Sequence, residues 1–395
     1  MSSKRKIKRK TSSETHSPDK TVLFFMIAMA IFGAIMIYDA SVYIANQEPF
    51  NNQFHFLTLQ IAWLLFGSIL AFGAYIVDYR KLLKVSFPFL IGVVALLILV
   101  LAFGDEVNGS KRWFQIGSLP PIQPAEFAKL AIVMYFASWF SKKEYSYAKF
   151  EDSIKKGFLK ILVPFLAILG LVALLILFEP DLGTAMIICV TAFIMLFLSG
   201  KDNAHRVGSL AMIPLIFLLG IVAILLEPYR MSRIQTFFNL ILKGQVADPQ
   251  GSGYQMQQIL IGIGSGGLLG KGFGQSRQRF GYLVENTAFT DSTFAVLLEE
   301  LGLLGGGIIV VSWIFFLWRG FKIALSAPDK EGQFLATGIS VWLACQAFFN
   351  MAANVGIIPL TGIPLPFLTY GGSSTMVTMI AFGLLLNVSR YTKNA

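Results

Sequence analysis

Long apolar runs separated by short charged segments dominate the pattern of the chain. A helix that crosses a membrane needs about 20 mainly apolar residues, and ten runs approach or exceed that length. They cover residues 22–45, 56–77, 86–103, 126–140, 158–178, 182–199, 207–226, 292–318, 333–353 and 374–389. The pattern therefore predicts an all-α polytopic membrane protein with ten transmembrane helices.

The charges between these runs predict an orientation. With the N-terminus in the cytoplasm, most of the 32 Lys and Arg residues fall on the cytoplasmic side, as the positive-inside rule requires. Both termini are then cytoplasmic. Residues 1–20, which mix Lys and Arg with Ser and Thr, are predicted to be a disordered basic tail. Residues 21–395 form a single transmembrane domain, in which residues 227–290 are a large extracytoplasmic loop between helices seven and eight.

Composition agrees with this class and excludes others. The chain is 55% hydrophobic and 14% charged, whereas soluble domains are about 45–50% apolar and about 25% charged. A soluble enzyme and a disordered protein are therefore disfavoured. The net charge of +10 is explained by topology, so we expect no nucleic-acid partner. The two cysteines and three histidines show neither a disulfide framework nor metal-ligand spacing.

The segment after the third run carries the first candidate polar groups. Arg112 beside Trp113 pairs a fixed cation with an amphipathic ring, which suits the level of the lipid headgroups; an ordinary interfacial anchor is the alternative. Glu126 and Lys129 are spaced by three and share a helix face. Because charges at that depth are costly and usually pair or line a cavity, both a structural and a functional ion pair stay open.

Two further segments interrupt apolar runs. Residues 179–183, Glu-Pro-Asp-Leu-Gly, predict a turn in which Asp181 caps the following helix; two carboxylates there could also bind a divalent metal or a sugar hydroxyl. Residues 360–374 hold two prolines and paired glycines at membrane depth. Such backbone is tolerated only when it is buried in protein or lines a polar cavity, which favours a site.

The richest segment is the one that leads into the eighth run. It contains a weakly apolar stretch, 256–269, that we predict to be a surface-lying or re-entrant helix. Asp291 should lie at the mouth of the span, with Glu299 and Glu300 about 12–14 Å further in. A helix-capping Asp is the common explanation for such a position. However, the cations Lys271, Arg277 and Arg279 near one carboxylate also suit a diphosphate leaving group and a base that deprotonates a sugar hydroxyl.

Together these segments resemble the SEDS family of bacteria (shape, elongation, division and sporulation proteins), over about residues 21–390. The resemblance rests on KRW at 111–113, QPAEFAK at 123–129, EPDLGTA at 179–185, GYQ at 253–255, GQSRQ at 274–278, EELG at 299–302 and PLPFLTYGGSS at 364–374. The glutamate of EPDLGTA, residues 227–233 and residues 385–390 favour the division-type branch over the elongation-type branch.

The resemblance implies an inverting peptidoglycan glycosyltransferase in the cytoplasmic (inner) membrane of a bacterium, with its active site facing outside. It would polymerise lipid II, the undecaprenyl-diphosphate-linked disaccharide-peptide, into nascent glycan. The family's catalytic aspartate falls on Asp291, whose role would be to deprotonate the acceptor hydroxyl. The matching motifs make substrate-binding candidates of Lys111, Arg112, Trp113, Glu126, Lys129, Asp181, Arg230, Arg233, Gln255, Lys271, Ser276, Arg277, Glu285, Tyr370, Ser373 and Ser374.

The resemblance also implies partners. Family members usually work with a class B penicillin-binding protein, a transpeptidase, among membrane lipids. A divalent cation (Mg²⁺ or Mn²⁺) is compatible with the diphosphate, and no organic cofactor is expected. One departure concerns residues 284–291, Val-Glu-Asn-Thr-Ala-Phe-Thr-Asp, where the family commonly has Pro-Glu-X-His-Thr-Asp. The His and Pro are absent, and Glu285 lies six residues before Asp291.

Two other functions fit the same features. A lipid II flippase would also use buried charges and broken helices, although no inverted repeat is evident. A non-catalytic scaffold that recruits the transpeptidase is the third hypothesis. Purified protein supplied with labelled lipid II separates the three, because only the enzyme makes polymer.

Overall fold

The computed structural model of the chain describes residues 16–107, 110–115, 121–142, 158–200, 203–210, 213–225, 227–244, 252–280 and 287–392. Residues 1–15 of the predicted basic tail lie outside the described residues, and so does Glu285. The domain boundaries stay a prediction.

The described residues are overwhelmingly helical. In chain order the elements are α1 (Lys20–Ala45), α2 (His55–Ile76), α3 (Tyr79–Lys84), α4 (Ser86–Phe103), β1 (Asp105–Val107), β2 (Ser110–Trp113), α5 (Pro124–Phe140), α6 (Phe158–Phe178), α7 (Leu182–Ser199), α8 (Asn203–Leu210), α9 (Ile213–Leu225), α10 (Pro228–Lys243), α11 (Ser252–Gly266), α12 (Thr293–Ser326), α13 (Lys330–Asn354) and α14 (Gly372–Ser389). The strands form one small antiparallel hairpin in which Glu106 faces Lys111.

Seven of these helices are long and apolar enough to cross a membrane: α1, α2, α4, α7, α12, α13 and α14. A shorter apolar stretch, Leu162–Phe178, lies within α6. The all-α polytopic class is thus observed. The described residues of the run 207–226 are helical, in α8 and α9, and residues 211 and 212 between them lie outside the described residues, so the single span stays a prediction.

The helices differ sharply in how much protein surrounds them. Helices α13 and α14 are the most enclosed, whereas α1, α2 and α4 present apolar faces outward. The outward side chains Phe24, Leu65, Ile69, Phe72 and Phe103 are each at least 62% exposed. Apolar surface of that extent is unfavourable in water and favourable in lipid. The enclosed pair α13–α14 therefore forms the centre around which the lipid-facing helices pack.

The two ends of the bundle differ in the residues that they carry. At one end, Asp291 precedes α12 and lies near the ends of α7, α13 and α14; we call this the site end. At the opposite end, the His16 backbone N–H donates to the Arg390 carbonyl at 2.8 Å. Arg319 also donates to the carboxylate of Asp19 at 2.7 Å. Both described chain ends thus lie together, at the end away from Asp291.

Helix α12 is interrupted one third of the way along. Gly302 has φ 67° and ψ −170°, so the backbone leaves helical geometry there. The loop after α11 fills the gap: the backbone N–H of Leu303 donates to Gly267 at 2.9 Å, and that of Lys271 donates to Glu299 at 3.0 Å. The stretch predicted to be a surface-lying or re-entrant helix is observed as α11, packed against the first part of α12. Its loop supplies the hydrogen bonds that the interrupted helix loses.

Candidate functional site at the end of the helical bundle

Asp291 lies two residues before the first residue of α12 and is partly exposed. Ser292 occupies the N-cap position and makes no side-chain cap bond, so the helix-capping explanation of Asp291 is wrong. The Thr290 hydroxyl donates to the Asp291 carboxylate at 3.2 Å. Enclosure by surrounding protein raises the pKa of Asp291, while the Arg233 guanidinium acts to lower it. The net effect is a carboxylate that is more basic than a free aspartate.

The irregular segment between α13 and α14, residues 355–371, passes beside Asp291. Its carbonyl groups are held from two sides: Arg233 of α10 donates to Leu360 at 2.8 Å, and Asn350 of α13 donates to Ile363 at 2.8 Å. The Tyr370 backbone N–H donates to Phe289 at 2.8 Å. The predicted broken backbone is therefore observed. Its second part, residues 363–369, is mostly buried in protein, as backbone without regular partners at that depth must be, whereas Val355 and Ile357 are exposed.

Asp181 joins three elements at the same end. Its carboxylate accepts from the Thr184 backbone N–H at 2.9 Å and from the Thr184 hydroxyl at 2.8 Å, so it caps α7 as the turn hypothesis predicted. The Gln123 side chain also donates to Asp181, at 3.2 Å. The Gln123 backbone N–H donates to the Ser373 hydroxyl at 3.0 Å. Gln123 was missing from the predicted site, although it lies in the same motif as Glu126.

Two predicted substrate-binding arginines support the end of α6. Arg112 donates to the carbonyls of Glu179 and Pro180 at 2.6 and 2.8 Å, and Arg230 donates to Leu177 at 2.7 Å. Cations at a helix C-terminus satisfy its last carbonyls and its dipole. The Arg112 guanidinium also lies 5.8 Å from the centre of the Trp113 ring. A guanidinium has five donors, and the two printed bonds of Arg112 use two of them.

Glu179 is a buried carboxyl that the sequence assigned to a turn or, together with Asp181, to a divalent metal or a sugar hydroxyl. Its side chain is fully enclosed, and within the described residues neither carboxyl oxygen has a hydrogen-bond partner. Burial raises its pKa to about 9, with the nearby Asp181 charge acting in the same direction and Arg112 opposing. Glu179 is therefore neutral at physiological pH.

The Glu126–Lys129 pair lies deeper, inside α5. The Lys129 ammonium is 2.8 Å from the Glu126 carboxylate, and both side chains are at most 3% exposed. Lys129 also donates to the Gln346 side chain of α13 at 2.8 Å and lies 5.6 Å from the Trp342 ring centre. The predicted ion pair thus exists. Whether it acts on substrate stays a prediction.

A second cluster of polar side chains holds the loop after α11 by ion pairs and hydrogen bonds. Lys271 lies 2.6 Å from Glu299, and the Ser276 hydroxyl donates to Glu299 at 2.7 Å. The Ser276 backbone N–H donates to Glu300 at 3.0 Å, and Arg279 pairs with Asp39 of α1. Sequence analysis placed Lys271 and Ser276 with the substrate, whereas the structure gives both of them carboxylate partners within the protein.

The remaining predicted residues divide by exposure. Lys111 and Arg277 are exposed, Ser374 is buried and Tyr370 is half-buried. Gln255 is buried and donates to the Ser292 hydroxyl at 3.1 Å, which links α11 to the start of α12. Within the part of the chain that the structure describes, no group of three or more His, Cys, Asp or Glu side chains could hold a metal ion. The described residues therefore do not form a protein metal site by themselves, and the divalent cation stays a prediction.

Comparison with known proteins finds relatives that agree with one another in family. A family model described as cell cycle protein, covering FtsW, RodA and SpoVE, matches residues 19–394. The chain is 41% identical over 384 residues to stage V sporulation protein E of Bacillus subtilis (strain 168), covering 95% of this chain and 98% of that protein. It is 36% identical over 380 residues to a probable peptidoglycan glycosyltransferase FtsW of Nitrosomonas europaea, covering 94% and 93%.

Solved structures have the same fold. A chain of a peptidoglycan synthase complex, studied for the coordination of polymerization and crosslinking, aligns with TM-score 0.73 and 26% identity, covering 94% of this chain and 98% of that one. The rod shape determining protein RodA of Thermus thermophilus aligns with TM-score 0.65 and 25% identity, covering 95% and 98%. Fold and site together define a multi-pass helical membrane protein with a polar site at one end of its bundle. The chain belongs to the FtsW/RodA/SpoVE family, the SEDS family, as its motifs predicted.

Proposed function

We propose that this chain is a peptidoglycan glycosyltransferase that polymerises lipid II, with Asp291 as general base. The observation that supports this most is the place of Asp291: its carboxylate is partly exposed at the mouth of α12, accepts from the Thr290 hydroxyl, and has a raised pKa. The acceptor 4-hydroxyl attacks the anomeric carbon of the growing glycan, and its proton passes to Asp291. The bond from that carbon to the lipid diphosphate breaks with inversion, and the diphosphate leaves with the bonding electron pair. The similarity to probable peptidoglycan glycosyltransferases of the FtsW type supports this activity.

The arginines at the site end supply the charge that the leaving diphosphate needs. Arg233 faces Asp291, and the charge of Arg230 interacts with the charges of Arg112 and Asp181. Fixed guanidinium groups stabilise the negative charge that develops on a departing diphosphate. A divalent cation would add to that charge, with the diphosphate oxygens supplying part of its ligands. No step above depends on it.

We propose ten transmembrane helices, both termini in the cytoplasm, and the site end at the outer face of the cytoplasmic membrane. The support is that the described chain ends lie together, opposite Asp291, and that the basic residues follow the positive-inside rule. Membrane lipids then surround the exposed faces of α1, α2 and α4. The similar chain from a peptidoglycan synthase complex supports a class B penicillin-binding protein as partner, in division or in elongation.

Reconstitution of the purified protein with fluorescent lipid II tests the proposal. We expect glycan polymer from the wild type and none from Asp291→Asn, which keeps the shape of the side chain and removes the base. Asp105→Asn is the matched control: Asp105 accepts from the Gln115 backbone outside the site, and polymer should persist. Translocation of lipid II without polymer would instead indicate a flippase. Neither activity, even with the partner present, would indicate a scaffold.

A further inference from the structure

One face of α13 carries a row of buried primary amides. Gln346, Asn350 and Asn354 are spaced by four residues, which places them on one helix face, and each is at most 2% exposed. We call these three residues the amide ladder. Amides inside a membrane helix are costly unless their hydrogen bonds are satisfied. Their donors all go to irregular backbone or to the ladder itself, and not to another span.

Two members of the ladder hold Asp291. The side-chain nitrogen of Asn350 donates to the Asp291 carbonyl at 2.8 Å, and that of Asn354 donates to the same carbonyl at 2.9 Å. Asn350 donates a second bond to Ile363 in the irregular segment. One side chain thus joins the backbone of the candidate base to the backbone that borders the site.

The third member extends this connection into the bundle. The Gln346 side chain donates to the Pro364 carbonyl at 3.0 Å. Its oxygen accepts from Lys129 at 2.8 Å and from the Trp342 indole at 3.0 Å. The Glu126–Lys129 pair is therefore connected, through one amide, to the segment that Asn350 ties to Asp291.

A similar amide far from the site shows what a purely structural role looks like. Asn387 of α14 is fully buried, and its side-chain nitrogen donates to the carbonyls of Ala74, Tyr75 and Val77 at the opposite end of the bundle. It closes the connection between α2 and α3. The ladder uses the same chemistry at the site end, where the backbone that it holds carries Asp291.

We propose that the amide ladder positions Asp291: it fixes the Asp291 backbone against residues 363–364 and connects both to the Glu126–Lys129 pair. The inference rests on the proposed function, in which Asp291 must meet an acceptor hydroxyl. The ladder touches the backbone of Asp291 and leaves its carboxylate open to substrate. A shift of about 1 Å in a reacting group can reduce the rate about 10²-fold, so the bonds to the Asp291 carbonyl act on the rate rather than on binding.

The test compares Asn350→Leu with Asn387→Leu in the lipid II assay, each corrected for folded protein. Leucine is similar in size to asparagine but has no donor. We expect Asn350→Leu to lower kcat about 10²-fold while leaving KM for lipid II unchanged. Asn387→Leu should lower the melting temperature and leave kcat unchanged. If Asn350→Leu does not fold, Asn354→Ala removes only one of the two donors to Asp291 and should still lower kcat.

A pH profile gives a second readout. In the ladder variants Asp291 is held less firmly and water can reach it, which lowers its pKa. The acid limb of the kcat profile should therefore move to lower pH. Arg233, the charged group that faces Asp291, is unchanged in these variants. Wild-type kcat and an unmoved limb in Asn350→Leu or Asn354→Ala would overturn the inference, and so would equal loss of kcat in Asn387→Leu. Polymer from Asp291→Asn would instead overturn the proposed function, which is a separate outcome.

Discussion

Asp291 is held by bonds to its own carbonyl oxygen, while its carboxylate has one neighbouring hydroxyl and the charge of Arg233. The backbone is thereby fixed and the side chain stays available for proton transfer. This division suits a base, because the groups that orient it do not compete for its lone pairs.

The raised pKa of Asp291 predicts an acid limit to polymerisation. The enzyme needs the ionised carboxylate, so the rate should fall as pH drops through the raised pKa, above the ordinary aspartate value of 3.8. A pH–rate profile of the wild type measures this limb. Any residual rate of Asp291→Asn should lack it, and the same limb in that variant would assign the titration to another group.

Glu179 predicts a change of stability with pH. Burial raises the pKa of Glu179 from its ordinary value of 4.5 to about 9 in the folded protein, so loss of its proton favours the unfolded chain. The free energy of unfolding should therefore fall as pH rises above 4.5 and stop falling above the folded pKa. Glu179→Gln removes the charge. The melting temperature of the variant, relative to wild type, should therefore increase steadily between pH 5 and pH 9. A constant difference for Glu179→Gln across this pH range would contradict the prediction.

At this scale the sequence identified Asp291, Asp181 and the Glu126–Lys129 pair, because each lies in a local motif or at helical spacing. It did not name Asn350 and Asn354, which lie 59 and 63 residues beyond Asp291, as site residues. Nothing local distinguishes them from amides with a packing role. One feature of the sequence could have indicated them: two asparagines spaced by four residues in an apolar run, where buried polar groups need hydrogen-bond partners.

The interruption of α12 is the feature of an element that the pattern of apolar residues could not reveal. The run 292–318 predicts a continuous helix, yet the chain leaves helical geometry at Gly302 and continues to Ser326. Positive φ there is accessible to glycine, but the cause is the loop after α11, whose backbone occupies the gap. A contact between segments about 30 residues apart leaves no periodic signal.

This close approach makes two glycines of α12 respond differently to substitution. A Cβ at Gly302 would overlap the backbone of Gly270 and would require positive φ, so Gly302→Ala should lower the melting temperature strongly. A Cβ at Gly307 would meet nothing within 4 Å, so Gly307→Ala should be neutral or stabilising by up to about 1 kcal/mol. Thermal unfolding in detergent measures both. Equal effects would show that the loop does not constrain α12.

For the whole molecule, apolar run lengths predicted most helices within a few residues, since a membrane demands a minimum length. The sequence did not predict which helices are enclosed by protein and which face lipid. Enclosed α13 and exposed α2 are both apolar, and only the tertiary structure distinguishes them.

The orientation of the bundle can be measured by cysteine labelling. Ser17 and Glu227 are exposed at opposite ends of the bundle. In intact spheroplasts, a membrane-impermeant thiol reagent should label Glu227→Cys and not Ser17→Cys, because the site end faces outward. Both should react after permeabilisation. Labelling of Ser17→Cys in sealed cells would reverse the proposed orientation.

His16, which precedes α1, donates a hydrogen bond to Arg390, which follows α14, so the described start and end of the chain are neighbours in space. Neighbouring termini are the usual condition for circular permutation. A short linker from Thr392 to His16 should therefore yield a chain that begins elsewhere and still inserts. In a chain trimmed to residues 16–392, fluorescent proteins fused at the two ends would lie close together, so energy transfer between them would report an intact bundle.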